Sequence, residues 1–329
     1  MPSPAAAQVS GADGTAAACT WVVSELPLPA GWSAGYVYNS DRDDSFAGYG
    51  VDVDGKTRPL VWHDGAVTVL DAPGGVEAVA QDVNSRGDVI GVTQGENVQA
   101  HGVLWRGGQV IDLPSLPGGD AAVPTAINDA GLIVGYAAGG DANHAVAWSA
   151  RTPQSIRDLG VVAGSAYLTD VTQQGTVVGW TETVGDEFRQ QAIAGTIRHG
   201  LTALPGPVSG TNSIARAAAG DYIVGSAVLT GGPEDLASAV RWEPTGPQAL
   251  PGVQTDARAV NDLGTAVGSD ANLGAVIWTD GNEQPLPPLT AGSDSFSTSA
   301  TAVTNNNTAA GVSTDAQGHT RPVTWTCTP

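Results

Sequence analysis

Apolar residues in this chain come in short runs, cut by Gly, Asn, Asp and Pro. The stretch TAINDAGLIVGYAAGGDANHAVAW, from Thr125 to Trp148, shows the unit. A strand-like run leads into an Asn-Asp-Ala-Gly turn, then a second run, a polar loop and a third run. With its flanking residues the unit reads as four strands, AVPTAIN, LIVGYAA, HAVAW and SIRDLG. Short strands at regular spacing with turn signals between them argue for an all-β fold. No stretch keeps a helical period, and Gly and Pro are too dense for long helices. The apolar strands do not alternate strictly, which suits sheets packed on both faces.

The unit recurs along the chain. Its skeleton is Asn, two variable residues, Gly, three residues, Gly, a gap and Trp. Asn84, Gly87, Gly91 and Trp105 fit it, as do Asn128, Gly131, Gly135 and Trp148, and Asn261, Gly264, Gly268 and Trp278. Weaker copies fill the gaps. Thr172, Gly175 and Gly179 form one, with Gly195 where Trp is expected. Thr304, Asn307, Gly311 and Trp325 form another, and Asp41, Asp44, Gly48 and Trp62 a third. Gly225 and Trp242 anchor the last, with Ala218 and Asp221 in the turn positions. A repeat of about 40–45 residues holding four strands has the length of a propeller blade. Residues 20–327 divide into seven units of 44. The expected fold is therefore a seven-bladed β-propeller of four-stranded blades, one domain over residues 19–327.

The ends complete the ring. The seventh copy stops at Trp325-Thr-Cys-Thr-Pro, before a fourth strand, while the chain opens on an orphan fourth strand, Trp21 to Pro27. The N-terminal strand is thus expected to close the last blade. Cys19 and Cys327, the two cysteines, fall where other blades carry a hairpin turn, and a disulfide between them is expected there. Paired cysteines point to an oxidising, extracellular compartment. Residues 1–18 are rich in Ala, Gly and Ser without an apolar core and read as a flexible tail left after processing, not an intact signal peptide. Residues 328–329 form the C-terminal end.

The turn chemistry accounts for the skeleton. Asn at a turn start bonds its own backbone, and Gly suits a left-handed residue. Asn307 stands in a Gly position, and Asn is the next best residue there. The skeleton tryptophans read as core. Trp180 follows a skeleton Gly, as Tyr49 and Tyr136 do, and is expected to pack between blades. Trp32 lies outside the pattern.

The formal net charge is −20, and Lys56 is the only lysine. Such a surface repels phosphate, so nucleic acid and anionic membranes are poor partners. No run of about 18 apolar residues is present, so membrane insertion is not expected.

The phrase Ala-Ile-Asn-Asp-Ala-Gly-Leu-Ile-Val-Gly with His144-Ala145-Val146-Ala147-Trp148 resembles the HAF repeat of secreted bacterial proteins. Val146 stands where the family has Phe, and His101-Gly102-Val103 is altered as well. The resemblance covers residues 19–327. It implies an extracellular propeller and carries over no catalytic residue. Propellers of this general kind also serve as lectin-like or docking subunits of secreted toxin assemblies, a link by analogy of fold.

Other motifs are weaker. Gly31-Trp32-Ser33-Ala34-Gly35 matches G-x-S-x-G, but a nucleophile elbow needs a following helix, and none is expected. Asn39, Asp41 and Asp43 place oxygen ligands at alternate positions, as calcium loops do, without the EF-hand Gly and Glu. Calcium is therefore the one cofactor the sequence suggests. The five histidines are scattered, with no zinc spacing.

Acidic residues are numerous but dispersed, which favours a binding module over an extracellular hydrolase or lyase. In an up-and-down blade the short, uniform turns share one face. The longer, varied loops share the other, where function tends to reside. The expected ligand or partner contacts are Trp32, Phe188 and Phe296, with Asp186, Glu187 and Asp294 beside them. A glycan or a protein, including a larger secreted complex, is the expected partner.

Overall fold

The structure, a computed structural model, describes residues 20–94, 100–162, 164–183, 188–206, 208, 211–229, 236–291 and 297–328. Their strands, numbered in chain order, form seven four-stranded antiparallel sheets. β1 (Thr20–Glu25) opens the chain. The first strands of the successive blades are β2 (Ala34–Ser40), β6 (Glu77–Val83), β10 (Ala122–Ile127), β14 (Ser165–Val171), β18 (Ser213–Ala219), β22 (Asp256–Val260) and β26 (Ser299–Val303). Each touches the next, and β26 returns to β2, so these strands form the closed inner ring of a seven-bladed propeller. No helix among the described residues is long and apolar enough to cross a membrane.

The last blade is closed as expected. β1 is the outer strand beside β28 (Thr320–Thr328), with Val23 opposite Trp325 and Trp21 opposite Cys327. Cys327 is disulfide-bonded. Cys19 lies outside the described residues, so its pairing with Cys327 is kept as a proposal.

The core lies between blades, not at the ring's centre. Leu26, Val37, Phe46, Leu60 and Trp62 join Ala302 and Ala310 across the boundary of the first and last blades. The skeleton tryptophans also tie blade to blade. Trp148 Nε1 donates to Pro114 O at 2.9 Å, in the segment leaving the previous blade. Trp62 does the same to Pro27 O at 2.7 Å, and Trp325 to Pro287 O at 2.7 Å. The fourth blade has Gly195 instead, because a Cβ there would lie 2.1 Å from Gly200 O of its outer strand.

The turn asparagines have two tasks. Asn128 Oδ1 accepts the Leu132 N–H at 3.0 Å, and Asn128 Nδ2 donates to Thr172 O of the next blade at 2.9 Å. Asn84 and Asn261 donate likewise to Asn128 O and Thr304 O. Asn307 adopts φ 63°, the left-handed conformation expected of it.

The fifth blade differs from its expected turn. Ala218 is expected in the turn but pairs with Ile223 inside the sheet. The hairpin is one residue shorter, and Gly220 takes the positive φ of 52° beside Asp221.

Candidate ligand-binding site in the central channel

Every inner strand carries a β-bulge at the same place. The register shifts around Tyr38, Gln81, Thr125, Thr169, Arg216, Arg258 and Thr301. A bulge leaves its extra residue unpaired and re-aims the side chain. All seven of these residues line one central cavity of about 370 Å³. The second skeleton Gly of each blade is the other side of this device. A Cβ at Gly135 would stand 2.0 Å from Val123 O, and one at Gly48 would stand 1.9 Å from Tyr36 O.

The seven bulge residues divide by chemistry. Thr125, Thr169 and Thr301 turn their hydroxyls to the next blade, donating to Leu168 O, Ala215 O and Val37 O at 2.9, 2.9 and 2.8 Å. They stitch the ring. Arg216 and Arg258 bracket one carboxylate, with Arg216 Nε 2.6 Å from Asp256 Oδ1 and Arg258 Nε 3.3 Å from Asp256 Oδ2. Tyr38 and Gln81 complete the ring on the opposite side.

The turn-face end of the channel is obstructed by Arg42. Its backbone sits at φ 73°, and its guanidinium crosses to Asp170 at 3.3 Å and Ala218 O at 2.7 Å. Asp82 and Asp170 lie buried here. Asp82 accepts the N–H groups of Val83 and of Ile127 in the next blade. Asp170 does the same for Val171 and Ala218. Burial pushes Asp82 well above the usual carboxylate range, against the pull of those N–H groups. Burial also raises Asp170, with Arg42 opposing it.

Aromatic rings stack on the strands of the first, third and fourth blades, and of these Tyr38 and Tyr49 line the channel and its cleft. Tyr36 stacks on Tyr49 with centroids 4.6 Å apart, and Tyr38 tilts against Tyr49 at 5.4 Å. Tyr136 crosses a blade boundary to Tyr167, edge-on at 5.0 Å, and Tyr167 stacks on Trp180 at 4.2 Å. Trp180, expected between blades, thus stacks on a ring of its own blade, while Tyr136 meets a ring of the next. A cleft of about 270 Å³ shares Tyr38 and Gln81 with the central cavity and runs past Tyr49 to Thr57, Glu77 and Gln94. Those last three lie at the variable-loop ends of their strands.

The sequence-expected contacts fare unevenly. Phe188 is exposed, on the expected face. Trp32 packs against its own blade. It is half-buried on the first blade, and a Cβ at Gly50 would lie 2.6 Å from its ring. Asp186, Glu187, Asp294 and Phe296 lie outside the described residues. Ser33 precedes a strand, not a helix. Asn39 Oδ1 accepts the Ser40 N–H, and Asp41 Oδ1 accepts those of Asp43 and Ser45, so these oxygens shape the turn. Among the described residues, ligand atoms gather instead at Asp44, His63 and Asp64, within 4.8 Å of one another on the turn face.

The bulge ring escaped the sequence reading. Six of its members stand three residues before the turn's first residue, as Gln81 does before Asn84. That fixed distance from the turn was the available signal.

No protein-family model matches the chain, and no curated protein matches its sequence. Solved structures match its fold. One is oligogalacturonate lyase in complex with manganese, at TM-score 0.58 and 12% identity, covering 94% of this chain and 96% of that one. Another is YCF48 bound to D1 peptide, at TM-score 0.52 and 9% identity, covering 94% and 95%. A lectin from Burkholderia pseudomallei matches at TM-score 0.50 and 12% identity, covering 94% and 96%. These likenesses are of fold, and the proteins concerned include both a lyase and a lectin.

Proposed function

We propose that this protein is a non-catalytic, lectin-like binding propeller. Its glycan enters on the variable-loop face between the first two blades and ends in the central cavity. The chemical asymmetry of the wall carries this reading. Tyr38 and Tyr49 offer aromatic surface, Thr57, Gln81 and Gln94 offer hydrogen bonds, and charge is concentrated across the cavity at Arg216, Asp256 and Arg258. Ligand clefts of about 300–1,000 Å³ with a few placed polar groups have this character.

Two buried carboxylates and three hydroxyls around the channel are already engaged. Asp82 and Asp170 hold backbone N–H groups, and three threonine hydroxyls join blades. The rim supports docking by a protein or a larger secreted complex as well. Among the described residues, seven of eleven exposed large apolar side chains lie on variable loops, Val53, Phe188 and Leu236 among them. Secretion belongs to the same reading, supported by the disulfide-bonded Cys327 and the HAF-like repeat. The Asp44, His63 and Asp64 group lies on the turn face, away from the glycan entrance, while Asn39 of the other acidic turn lines the central cavity.

A glycan array followed by calorimetric titration tests the proposal. Tyr38→Ala is expected to weaken binding by roughly tenfold. Leu263→Glu, on the opposite face, should leave it within about twofold, as a surface change remote from the ligand. The reverse order would refute the choice of face. Release of shortened chains from the bound glycan would favour the extracellular hydrolase or lyase.

A further inference from the structure

We propose that the glycan is acidic and that its carboxylate seats between Arg216 and Arg258, an inference that rests on the glycan reading above. The whole chain has 13 Lys and Arg against 33 Asp and Glu. Two of those scarce cations nevertheless occupy bulge positions in adjacent blades and line the same cavity. Only Asp256 is shared between them, and it meets each through Nε, at 2.6 and 3.3 Å. One carboxylate against two guanidiniums leaves a net positive charge.

The Arg216 and Arg258 side chains are 38% and 43% exposed, line the cavity and engage Asp256 through Nε, which leaves their Nη groups to meet a ligand. Arg42 does not share this role, since it is 13% exposed and bonded to Asp170 and Ala218 O. A planar guanidinium edge fits a carboxylate with two parallel hydrogen bonds, which a neutral hydroxymethyl group cannot reproduce. The protein's overall negative charge does not forbid this. Exposed charges are screened beyond about 8 Å at physiological salt, while the cavity pair acts at contact.

The test uses oligosaccharides of galacturonate and of glucuronate, each paired with its neutral methyl ester, titrated by calorimetry into the full protein. The acidic forms are expected to bind roughly tenfold or more tightly than their esters. Arg216→Gln and Arg258→Gln should each erase that preference. Asp256→Asn, which removes the competing carboxylate, should strengthen binding of the acid and leave the ester unchanged. It also supplies the answer if the arginine variants fold poorly in thermal melts. Equal binding of acid and ester overturns the inference and leaves the glycan reading standing. A preference for acid that survives both arginine substitutions overturns it too, since the carboxylate then sits elsewhere. Binding of neither form, alongside neutral glycans that do bind, defeats the inference alone. Binding of no glycan of any kind defeats both.

Discussion

Glu283 carries an acid held in an unfavourable setting. Its Oε1 is buried without a hydrogen-bond partner. A Cβ at Gly252 would lie 2.4 Å from that oxygen and 2.8 Å from Asp270 Oδ2, so two carboxylates flank one glycine. Asp270 is engaged, accepting N–H groups from Val253, Asn272 and Leu273. Burial first, and then the charge of Asp270, push Glu283 from 4.5 up to about 7. The folded protein therefore keeps this proton between pH 4.5 and about 7, where the unfolded chain has lost it. Stability at this site falls as pH rises through that window and is level above it. Glu283→Gln should flatten the decline, read as melting temperature from pH 5 to 8, and an unchanged slope would place the cause elsewhere. Trp32 makes a different point at this scale. It stands outside the strand pattern, and its ring fills the space over Gly50. Only neighbours distant in sequence reveal that.

At the scale of the strand pair, one device explains two features of the repeat. The bulge that sends Gln81 or Arg216 into the channel also brings the inner-strand carbonyl against the second strand. That strand must then lack a Cβ, so the second skeleton Gly answers a close approach, while the first answers a left-handed turn. The two glycines should respond differently to substitution. Gly135→Ala drives a methyl group to 2.0 Å from Val123 O, a backbone atom that cannot swing aside. A loss of about 3 kcal/mol is expected, as for an overpacked core site. Gly87→Ala meets nothing within 4 Å and bears only the strain of φ 73°. A loss of about 1–2 kcal/mol is expected there. Urea unfolding of both variants measures the difference, and equal losses would deny the close-approach account.

In the whole molecule, the ring depends on joining chain ends that are remote in sequence. β1 completes the sheet of β28, with Thr20 opposite Thr328, and Trp21 Nε1 donates to Gln284 Oε1 of the neighbouring blade at 3.1 Å. A Cys19–Cys327 bond would close almost the whole chain and restrict the unfolded state by about 5 kcal/mol in the chain-entropy model. Replacing both cysteines with Ser should lower the melting temperature and speed amide exchange in residues 20–25 before the rest of the ring. Exchange that stays uniform across the blades would mean that β1 is held by its ladder and packing alone.

The repeat period, the four strands of each blade, the turn residues and the closing strand were legible in the sequence. They depend on local backbone chemistry and on a pattern written seven times, so each copy checked the others. The skeleton tryptophans were legible as core for the same reason, although their proline acceptors were not. The central cavity was decided only by the tertiary structure. Tyr38, Gln81, Arg216 and Arg258 are far apart in the chain and obey no spacing rule among themselves. They meet because seven bulges at one register point inward when the ring closes. The pairing of Arg216 and Arg258 through Asp256 likewise exists only across a blade boundary. A residue's conformation is set by its neighbours in sequence, whereas a site shared among blades is set by which neighbours folding brings to the same side.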